Sequence, residues 1–313
     1  MEADIPVTPL PASGWLAQLR ASLQQHPITA ISLAVALLAV ALLLLQSLIL
    51  LWSGQGGLGA HYGMIGGLAG FAATAAGALP ALALRNLPQR LEDAMLGFAA
   101  GMMLAASAFS LILPGIEAAT SQTGHAGLGA GIVVFGMTLG VLLMLGLDQF
   151  TPHEHDKSGP CGPGHDSCSR VWLFVFAIAL HNIPEGMAIG VSFAHADMRV
   201  GLPLTTAIAL QDIPEGLAVA LALCAAGFRA PFAVFIAILS GVLEPVGALL
   251  GIGLASGLPI AYPIGLGLAA GAMLFVVSHE VIPETHRNGH QTAATLGLML
   301  GFALMMTLDT ALG

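Results

Sequence analysis

Residues 179–188 read Ala-Leu-His-Asn-Ile-Pro-Glu-Gly-Met-Ala, and residues 209–218 read Ala-Leu-Gln-Asp-Ile-Pro-Glu-Gly-Leu-Ala. The two stretches share the pattern A-L-x-x-I-P-E-G-x-A at a separation of thirty residues. Each lies in a long apolar run, so the repeat predicts two consecutive, antiparallel membrane helices that both carry acids. An internal repeat of this kind is typical of inverted-repeat transporters, whose substrate site lies near the bilayer midplane.

The composition around this repeat is that of a membrane protein. The 313 residues are 57% hydrophobic and only 8% charged, with a mean hydropathy of +0.89. A soluble domain carries about 25% charged residues, so a soluble enzyme is excluded. Eight Lys and Arg provide no basic patch for nucleic acid, and three Cys cannot form a disulfide framework. The expected surroundings are the lipid bilayer.

Nine apolar runs reach the roughly 20 residues that a spanning helix needs. They lie at about 28–52, 59–84, 94–118, 127–149, 171–196, 201–225, 231–256, 260–281 and 291–312. The connections are short except near 150–170, which leaves no room for a separate soluble domain. The predicted fold is therefore an all-α polytopic membrane protein.

The first run is expected to be a retained helix, with residues 1–27 as a flexible tail. The alternative is a cleaved signal peptide. The apolar stretch of the first run is longer, however, than the 7–15 residues that are usual in a signal peptide, and no A-x-A cleavage pattern follows it. The preceding flank also carries Glu2 and Asp4 against the single Arg20, which does not resemble a basic signal-peptide start.

The basic residues predict the orientation. If the chain has nine spans, seven of the eight Lys and Arg residues fall on one side of the membrane, and only Arg199 falls on the other. The seven are Arg20, Arg85, Arg90, Lys157, Arg170, Arg229 and Arg287. The positive-inside rule then places the N-terminus and the 150–170 loop in the cytoplasm and the C-terminus outside.

The spacing within each motif gathers its polar side chains. Positions i, i+1 and i+4 of a helix point into one sector. In the two motifs these positions are His181, Asn182, Glu185, Gln211, Asp212 and Glu215. Pro184 and Pro214 cannot donate to the carbonyls of Leu180 and Leu210, and these carbonyls then need another partner, such as an ion or water.

Three carboxylates in this pocket predict a bound cation. An ionisable side chain in hydrocarbon costs at least about 2.5–3.5 kcal/mol, and no Lys or Arg lies within a predicted span. The acids must therefore be partly protonated or neutralised by a cation. Mixed nitrogen and carboxylate ligands suit Zn²⁺ and other first-row divalent ions. The alternative, a kinked helix pair held by hydrogen bonds, gives no reason for paired acids.

The motif pair H-N-x-P-E-G and Q-D-x-P-E-G resembles the signature of the ZIP (zinc- and iron-regulated transporter-like) metal transporters of bacterial type. The resemblance covers roughly residues 59–313 and implies inverted three-helix repeats around a central helix pair. It implies one metal site with His181, Glu185, Gln211, Glu215 and Met103. It implies an adjoining site with Asn182, Asp212 and Glu244, in which Glu185 and Glu215 bridge both ions. The 28–52 helix lies outside this eight-helix pattern.

Two of these residues, Glu244 and Met103, are candidate ligands even without the family resemblance. Glu244 is a further intramembrane acid, directly before Pro245, and is expected to be a ligand. Met103 heads a face predicted to continue through Ser107, Ser110, Pro114 and Glu117. A thioether suits a transition metal, although a lone Met equally well fills a core, and the residues alone leave this open.

Further polar groups lie nearer the span ends. A station for metal uptake or release could be formed by His279-Glu280, Glu284, His286 and Asp309. These residues are not an H-E-x-x-H protease helix, because position 283 is Pro. For Asp309 the alternative is a helix end in contact with water. The 150–170 loop holds a group that could capture metal weakly or be incidental. That group is His153, His155, Cys161, His165 and Cys168.

Small residues predict close helix packing. Seven G-x3-G pairs begin at Gly63, Gly66, Gly97, Gly136, Gly247, Gly267 and Gly297. Such faces fit either static packing or the sliding of one bundle on another. The family resemblance implies elevator-like alternating access and a homodimer.

The sequence thus predicts a carrier that moves Zn²⁺, with Cd²⁺, Fe²⁺ or Mn²⁺ as further substrates, into the cytoplasm through the bacterial inner membrane. No organic cofactor is expected. The domains are a tail at 1–27, an additional helix at 28–52 and a transport domain at 53–313. An intramembrane zinc-dependent hydrolase and a metal-ion channel are the alternatives.

Overall fold

The computed structural model describes residues 27–84, 87–150, 153–155, 159–161, 170–194, 196–256 and 258–312. The helices of the first half are α1 (Pro27–Trp52), α2 (Gly57–Ala78), α3 (Gln89–Ala106), α4 (Leu113–Thr123) and α5 (Ala126–Phe150). A 3₁₀ turn at Leu79–Leu82 extends α2, and a π-helical turn at Ser107–Ile112 joins α3 to α4.

The second half begins after a short antiparallel strand pair, β1 (His153–His155) and β2 (Gly159–Cys161). Its helices are α6 (Arg170–Ser192), α7 (Met198–Ala225), α8 (Ala230–Gly241), α9 (Leu243–Ala255), α10 (Ala261–Val276), α11 (Ile282–Thr285) and α12 (Gln291–Leu312). A second π-helical turn, Val277–Val281, connects α10 to α11.

The protein is an all-α polytopic membrane protein, as the sequence predicts. In the described part of the chain, seven helical stretches are long and apolar enough to cross a membrane. They are Gly57–Leu82, Gln89–Thr123, Ala126–Gly146, Met198–Ala225, Ala230–Ala255, Ala261–Thr285 and Gln291–Leu312. The first and fifth predicted runs also form helices, namely α1 and α6.

Glycines allow these helices to pack in close pairs. Gly97 and Gly101 of α3 face the backbone of α12, and Gly297 and Gly301 face α3 in return. The same reciprocal contact joins α5 to α10 and α6 to α9, at the glycine pairs that begin at Gly136, Gly267, Gly186 and Gly247. The fourth pair, α2 with α7, uses Gly77 and Gly216. Because a Cβ at these positions would strike backbone atoms, the predicted close approach is confirmed.

One feature of the third predicted run is wrong. The face from Met103 to Glu117 assumes an unbroken 3.6-residue period, but the π-helical turn at Ser107–Ile112 interrupts it. A π turn closes its hydrogen bonds over five residues, so the later positions rotate away from the earlier ones. Met103 and Ser107 are fully buried, whereas Glu117 is exposed.

Some predicted features lie partly beyond what is described. Residues 1–26 of the predicted tail, and His165 and Cys168 of the loop group, fall outside the described residues. His153 and His155 lie on β1, and Cys161 ends β2, so only their backbone positions are described. Metal binding by this loop stays a prediction.

Candidate metal centre

The two sequence motifs meet in the protein interior. Helices α6 and α7 contact each other, α9 packs on α6, and α2 packs on α7. None of the motif side chains is more than 3% exposed. They are His181, Asn182 and Glu185 on α6, and Gln211, Asp212 and Glu215 on α7. The structure therefore buries all six predicted side chains on two helices that contact each other.

Three carboxylates form the centre of this cluster. Each of Glu185, Asp212 and Glu215 offers one oxygen, and these three oxygens lie within 4.8 Å of one another. Two oxygens bound to one tetrahedral zinc ion are about 3.4 Å apart, because each zinc–oxygen bond measures about 2.1 Å. The three oxygens would therefore have to approach one another by up to about 1.4 Å for one ion to bind all of them.

Glu244 joins the cluster from the break between α8 and α9. It is fully buried in the first turn of α9, and Thr74 Oγ1 donates a hydrogen bond of 2.5 Å to its Oε1. Its other oxygen, Oε2, occupies the space that a Cβ on Gly70 would take, and Oδ2 of Asp212 borders the same space. The carboxyl groups of Asp212 and Glu244 are therefore neighbours over a single glycine.

Small residues make the room for these carboxylates. A Cβ at Gly70 would lie 3.2 Å from Asp212 Oδ2 and would collide with Glu244 Oε2. A Cβ at Gly241 would lie 3.0 Å from the Thr74 Cβ and 3.4 Å from Glu244 Oε1. Both glycines thus border the Glu244 carboxylate, and a larger side chain at either position would displace it.

The first motif has partners on two further helical segments. The Asn182 side-chain amide donates a 3.0 Å hydrogen bond to the carbonyl of Ser240 on α8. His181 Nε2 lies 3.6 Å from Glu280 Oε2, which the π-helical turn after α10 places beside it. The imidazole therefore lies beside an acid that the sequence assigned to a separate group.

The second motif is linked to the first through its amide. Gln211 Nε2 donates a hydrogen bond to Glu185 Oε1. This bond crosses from α7 to α6, so it fixes the relative positions of the two motif helices at the level of the carboxylates. In the described part of the chain, the donors hydrogen-bonded to these carboxylates are the neutral groups of Gln211 and Thr74.

Many polar atoms of the cluster have no hydrogen-bond partner among the described residues. They are Nδ1 and Nε2 of His181, Oε2 of Glu185, Oε1 of Gln211, both carboxylate oxygens of Asp212, Oε1 of Glu215 and Oε2 of Glu244. Most buried polar atoms in proteins are paired, since an unpaired one costs about 1–3 kcal/mol. One imidazole and four carboxyl groups with free lone pairs form a donor set suited to divalent transition metals.

Other predicted residues have different surroundings. Met103 is fully buried in the larger hydrophobic cluster, which also contains Ala188 of α6 and Ile208 of α7. Its role as a ligand stays a prediction. Asp309 accepts a 2.6 Å hydrogen bond from the buried Ser110, so its carboxylate is anchored to the π-helical turn.

The sequence did not predict three contributors, namely Thr74, Gly70 and the contact between Glu280 and His181. A hydroxyl in an otherwise apolar run was the one available signal for Thr74, and it stands four residues after Gly70. Gly70 belongs to a predicted packing pair, which explains its size but not its carboxylate neighbours. The Glu280 contact depends on how α10 packs on α6 and has no signal in the local pattern.

Comparison with known proteins shows which family this chain resembles. Residues 151–309 match the family model described as ZIP Zinc transporter. The chain is 62% identical over 293 residues to the zinc transporter ZIPB of Bordetella bronchiseptica. This match covers 94% of this chain and 95% of that protein. It is 44% identical to the zinc transporter GufA of Myxococcus xanthus over 80% of this chain and 99% of that protein.

A more distant relative is also named a zinc transporter. The human zinc transporter ZIP11 is 32% identical over 77% of this chain and 94% of that protein. These relatives form a transport family rather than an enzyme family. From the matched model and the near full-length identity, we conclude that this integral membrane protein belongs to the ZIP zinc transporter family.

Proposed function

We propose that this protein carries Zn²⁺ across the membrane through the buried cluster on α6 and α7. The observation that carries the proposal is the convergence of Glu185, Asp212 and Glu215 within 4.8 Å on two helices that the sequence predicts to cross the membrane. Without a cation, these groups would repel one another in a medium that screens charge poorly. The names of the relatives, which are zinc transporters, support zinc as the substrate.

The ligands divide into two adjoining sites. In the proposed first site, His181, Glu185, Gln211 and Glu215 bind one ion, with Met103 as a further ligand. In the proposed second site, Asn182, Asp212 and Glu244 join Glu185 and Glu215, which bridge both ions. The four carboxylates support this division, because their charge is sufficient to balance two divalent ions.

The ligand chemistry favours reversible binding of zinc. Nitrogen and oxygen donors replace the hydration shell of the ion, and the same donor set also accepts Cd²⁺, Fe²⁺ and Mn²⁺ as further proposed substrates. Gln211 holds Glu185 and Thr74 holds Glu244, so two carboxylates are oriented before an ion arrives. Their second oxygens, Oε2 in both residues, remain available for the ion.

We place the direction of transport toward the cytoplasm. The excess of Arg and Lys on one side of the predicted spans supports a cytoplasmic N-terminus, a cytoplasmic 150–170 loop and an outside C-terminus. The proposed membrane is the bacterial inner membrane. Residues 53–313 would form the transport domain, and the 28–52 helix would be an addition to it.

Alternating access would proceed by an elevator-type displacement of one helix bundle against another. The glycine contacts of α2 with α7 and of α6 with α9 support this proposal, because they would let the four helices around the site move as a unit. Homodimerisation is proposed on family grounds and is checked by the mass of the purified protein in detergent.

Zinc uptake into proteoliposomes tests the proposal. The wild-type protein should give saturable uptake, and the double variant Glu185→Gln, Glu215→Gln should give none, since it keeps the side-chain size but removes both bridging charges. Glu117→Gln is the matched control, because Glu117 is an exposed acid in the middle of α4. Bound zinc, measured on the same samples, should fall from two ions toward none in the double variant.

The outcomes separate the competing functions. Undiminished uptake in the double variant would remove the proposed site. Non-saturable flux with weak temperature dependence would favour a channel. Turnover of a lipid or peptide by the purified protein, without zinc flux, would favour a hydrolase.

A further inference from the structure

An apolar groove with an arginine at one end lies beside α12, whose Leu296 and Leu300 are each 65% exposed. It has a volume of about 500 Å³ and lies between α3, α7 and α12. Its walls include Phe98 of α3, Pro214 of α7, and Leu296, Gly297 and Leu300 of α12, and Arg90 stands at one end. We name it the Arg90 groove.

The Arg90 groove has the depth of one membrane leaflet. Arg90 is the second residue of α3, and α12 begins at Gln291, so the charged end lies at the helix termini. Leu300 lies nine residues into α12, about 14 Å deeper at 1.5 Å per residue. Half of a bilayer's hydrocarbon core is about 15 Å thick. The groove thus runs from the headgroup level to near the bilayer centre.

The guanidinium of Arg90 is available to a ligand. Arg90 is exposed and has no hydrogen bond or ion pair within the described part of the chain. Other arginines differ, since Arg287 pairs with Glu284 at 3.0 Å and Arg199 pairs with Asp197 at 3.5 Å. A planar guanidinium binds phosphate through two parallel hydrogen bonds, so its charge complements an anionic headgroup.

A second groove provides an internal comparison. It has a similar volume of about 480 Å³, lies between α2 and α7, and is lined by residues such as Tyr62, Phe193 and Leu202. Its lining residues include no Arg or Lys, and Arg199, which follows the lining residue Met198 in the chain, pairs with Asp197. This second groove therefore offers an apolar wall without a free positive charge.

We propose that the Arg90 groove binds one anionic phospholipid of the surrounding membrane. An acyl chain lies along Phe98, Leu296 and Leu300, and the phosphate contacts Arg90. Leu296 and Leu300 are each 65% exposed on a membrane-crossing helix, so they face lipid chains. The groove lies at the end of the spans where basic residues accumulate, and such juxtamembrane positions attract anionic lipids.

Lipid titration of the purified full-length protein in detergent tests the proposal. Phosphatidylglycerol and phosphatidylcholine are added separately, and bound lipid is counted by native mass spectrometry. The wild-type protein should prefer phosphatidylglycerol about fivefold, the preference that one basic residue near a membrane surface provides. Arg90→Gln should abolish this preference. Leu300→Trp should reduce binding of both lipids, because the indole fills the groove.

Two matched variants serve as controls. Arg199→Gln removes the paired arginine beside the second groove, and Met299→Trp places an indole on α12 at the same depth but outside the Arg90 groove. Both should keep the wild-type preference. The proposal is overturned if Arg90→Gln keeps the preference, if Arg199→Gln abolishes it equally, or if Leu300→Trp leaves the binding of both lipids unchanged.

Discussion

The motifs on α6 and α7 share seven of ten residues, yet they contribute different chemistry to the cluster. The α6 motif contributes an imidazole and an amide that reach outward, to Glu280 and to the Ser240 carbonyl. The α7 motif contributes Gln211, which reaches across to Glu185, and Asp212, which lies beside Glu244. The repeat thus builds a symmetric scaffold with a nitrogen-containing half and an oxygen-rich half.

The shared glycines explain the symmetric part. Gly186 of the first motif packs on the backbone of Glu244 in α9, and Gly216 of the second packs on the backbone of Thr74 in α2. Thr74 and Glu244 then hydrogen-bond to each other across the site. Each motif glycine therefore brings in a helix whose side chain completes the cluster, and the variable positions of the motif determine the ligand types.

The largest expected effect comes from removing the residue that distinguishes each half. His181→Ala and Asp212→Asn should each reduce bound zinc from two ions to one and lower uptake about a hundredfold, the upper range for loss of a single supporting group at a metal site. X-ray absorption should show nitrogen ligation lost in His181→Ala and retained in Asp212→Asn. Equal nitrogen signals in both variants would contradict the division into two halves.

A smaller effect is expected from crowding the oxygen-rich half alone. Gly70→Ala places a methyl group against the carboxylates of Glu244 and Asp212, which must move apart. Overpacking of this kind costs about 1–3 kcal/mol, so zinc affinity should fall about thirtyfold, and the thermal midpoint of unfolding should also fall. Isothermal titration measures the affinity.

Gly131→Ala on α5 is the matched control for this prediction, because a Cβ there meets nothing within 4 Å. It should leave both affinity and thermal stability at wild-type values. If Gly70→Ala behaves like this control, the Glu244 carboxylate does not occupy the position described when zinc is bound.

The smallest of these effects is expected from the hydroxyl that orients Glu244. Thr74→Val keeps the shape of the side chain but removes its 2.5 Å hydrogen bond. A bond to a charged group contributes about 1.5–3 kcal/mol, so zinc affinity should fall about tenfold. Thr74→Ser keeps the hydroxyl and should restore most of the affinity. Failure of Ser to do so would assign Thr74 a packing role.

The predicted spans and the ligand list had a local basis. Long apolar runs reveal membrane helices because only residues of that kind are stable in hydrocarbon. Acids such as Glu185 and Glu244 stand out within these runs because their insertion is costly. The π-helical turn at Ser107–Ile112 had no comparable signal, since its composition is that of the α-helix around it.

By itself, then, the sequence determined a bundle of membrane helices with two acid-bearing motifs, because hydropathy, periodicity and repetition are properties of the chain. Only the tertiary structure decided which helices enclose the cluster. Thr74 and Glu244 contact each other although they are 170 residues apart in the sequence. His181 and Glu280 are also distant in the sequence and contact each other only in the folded chain. Such contacts depend on how glycine faces pair between helices, and no local pattern specifies which of several G-x3-G faces pairs with which.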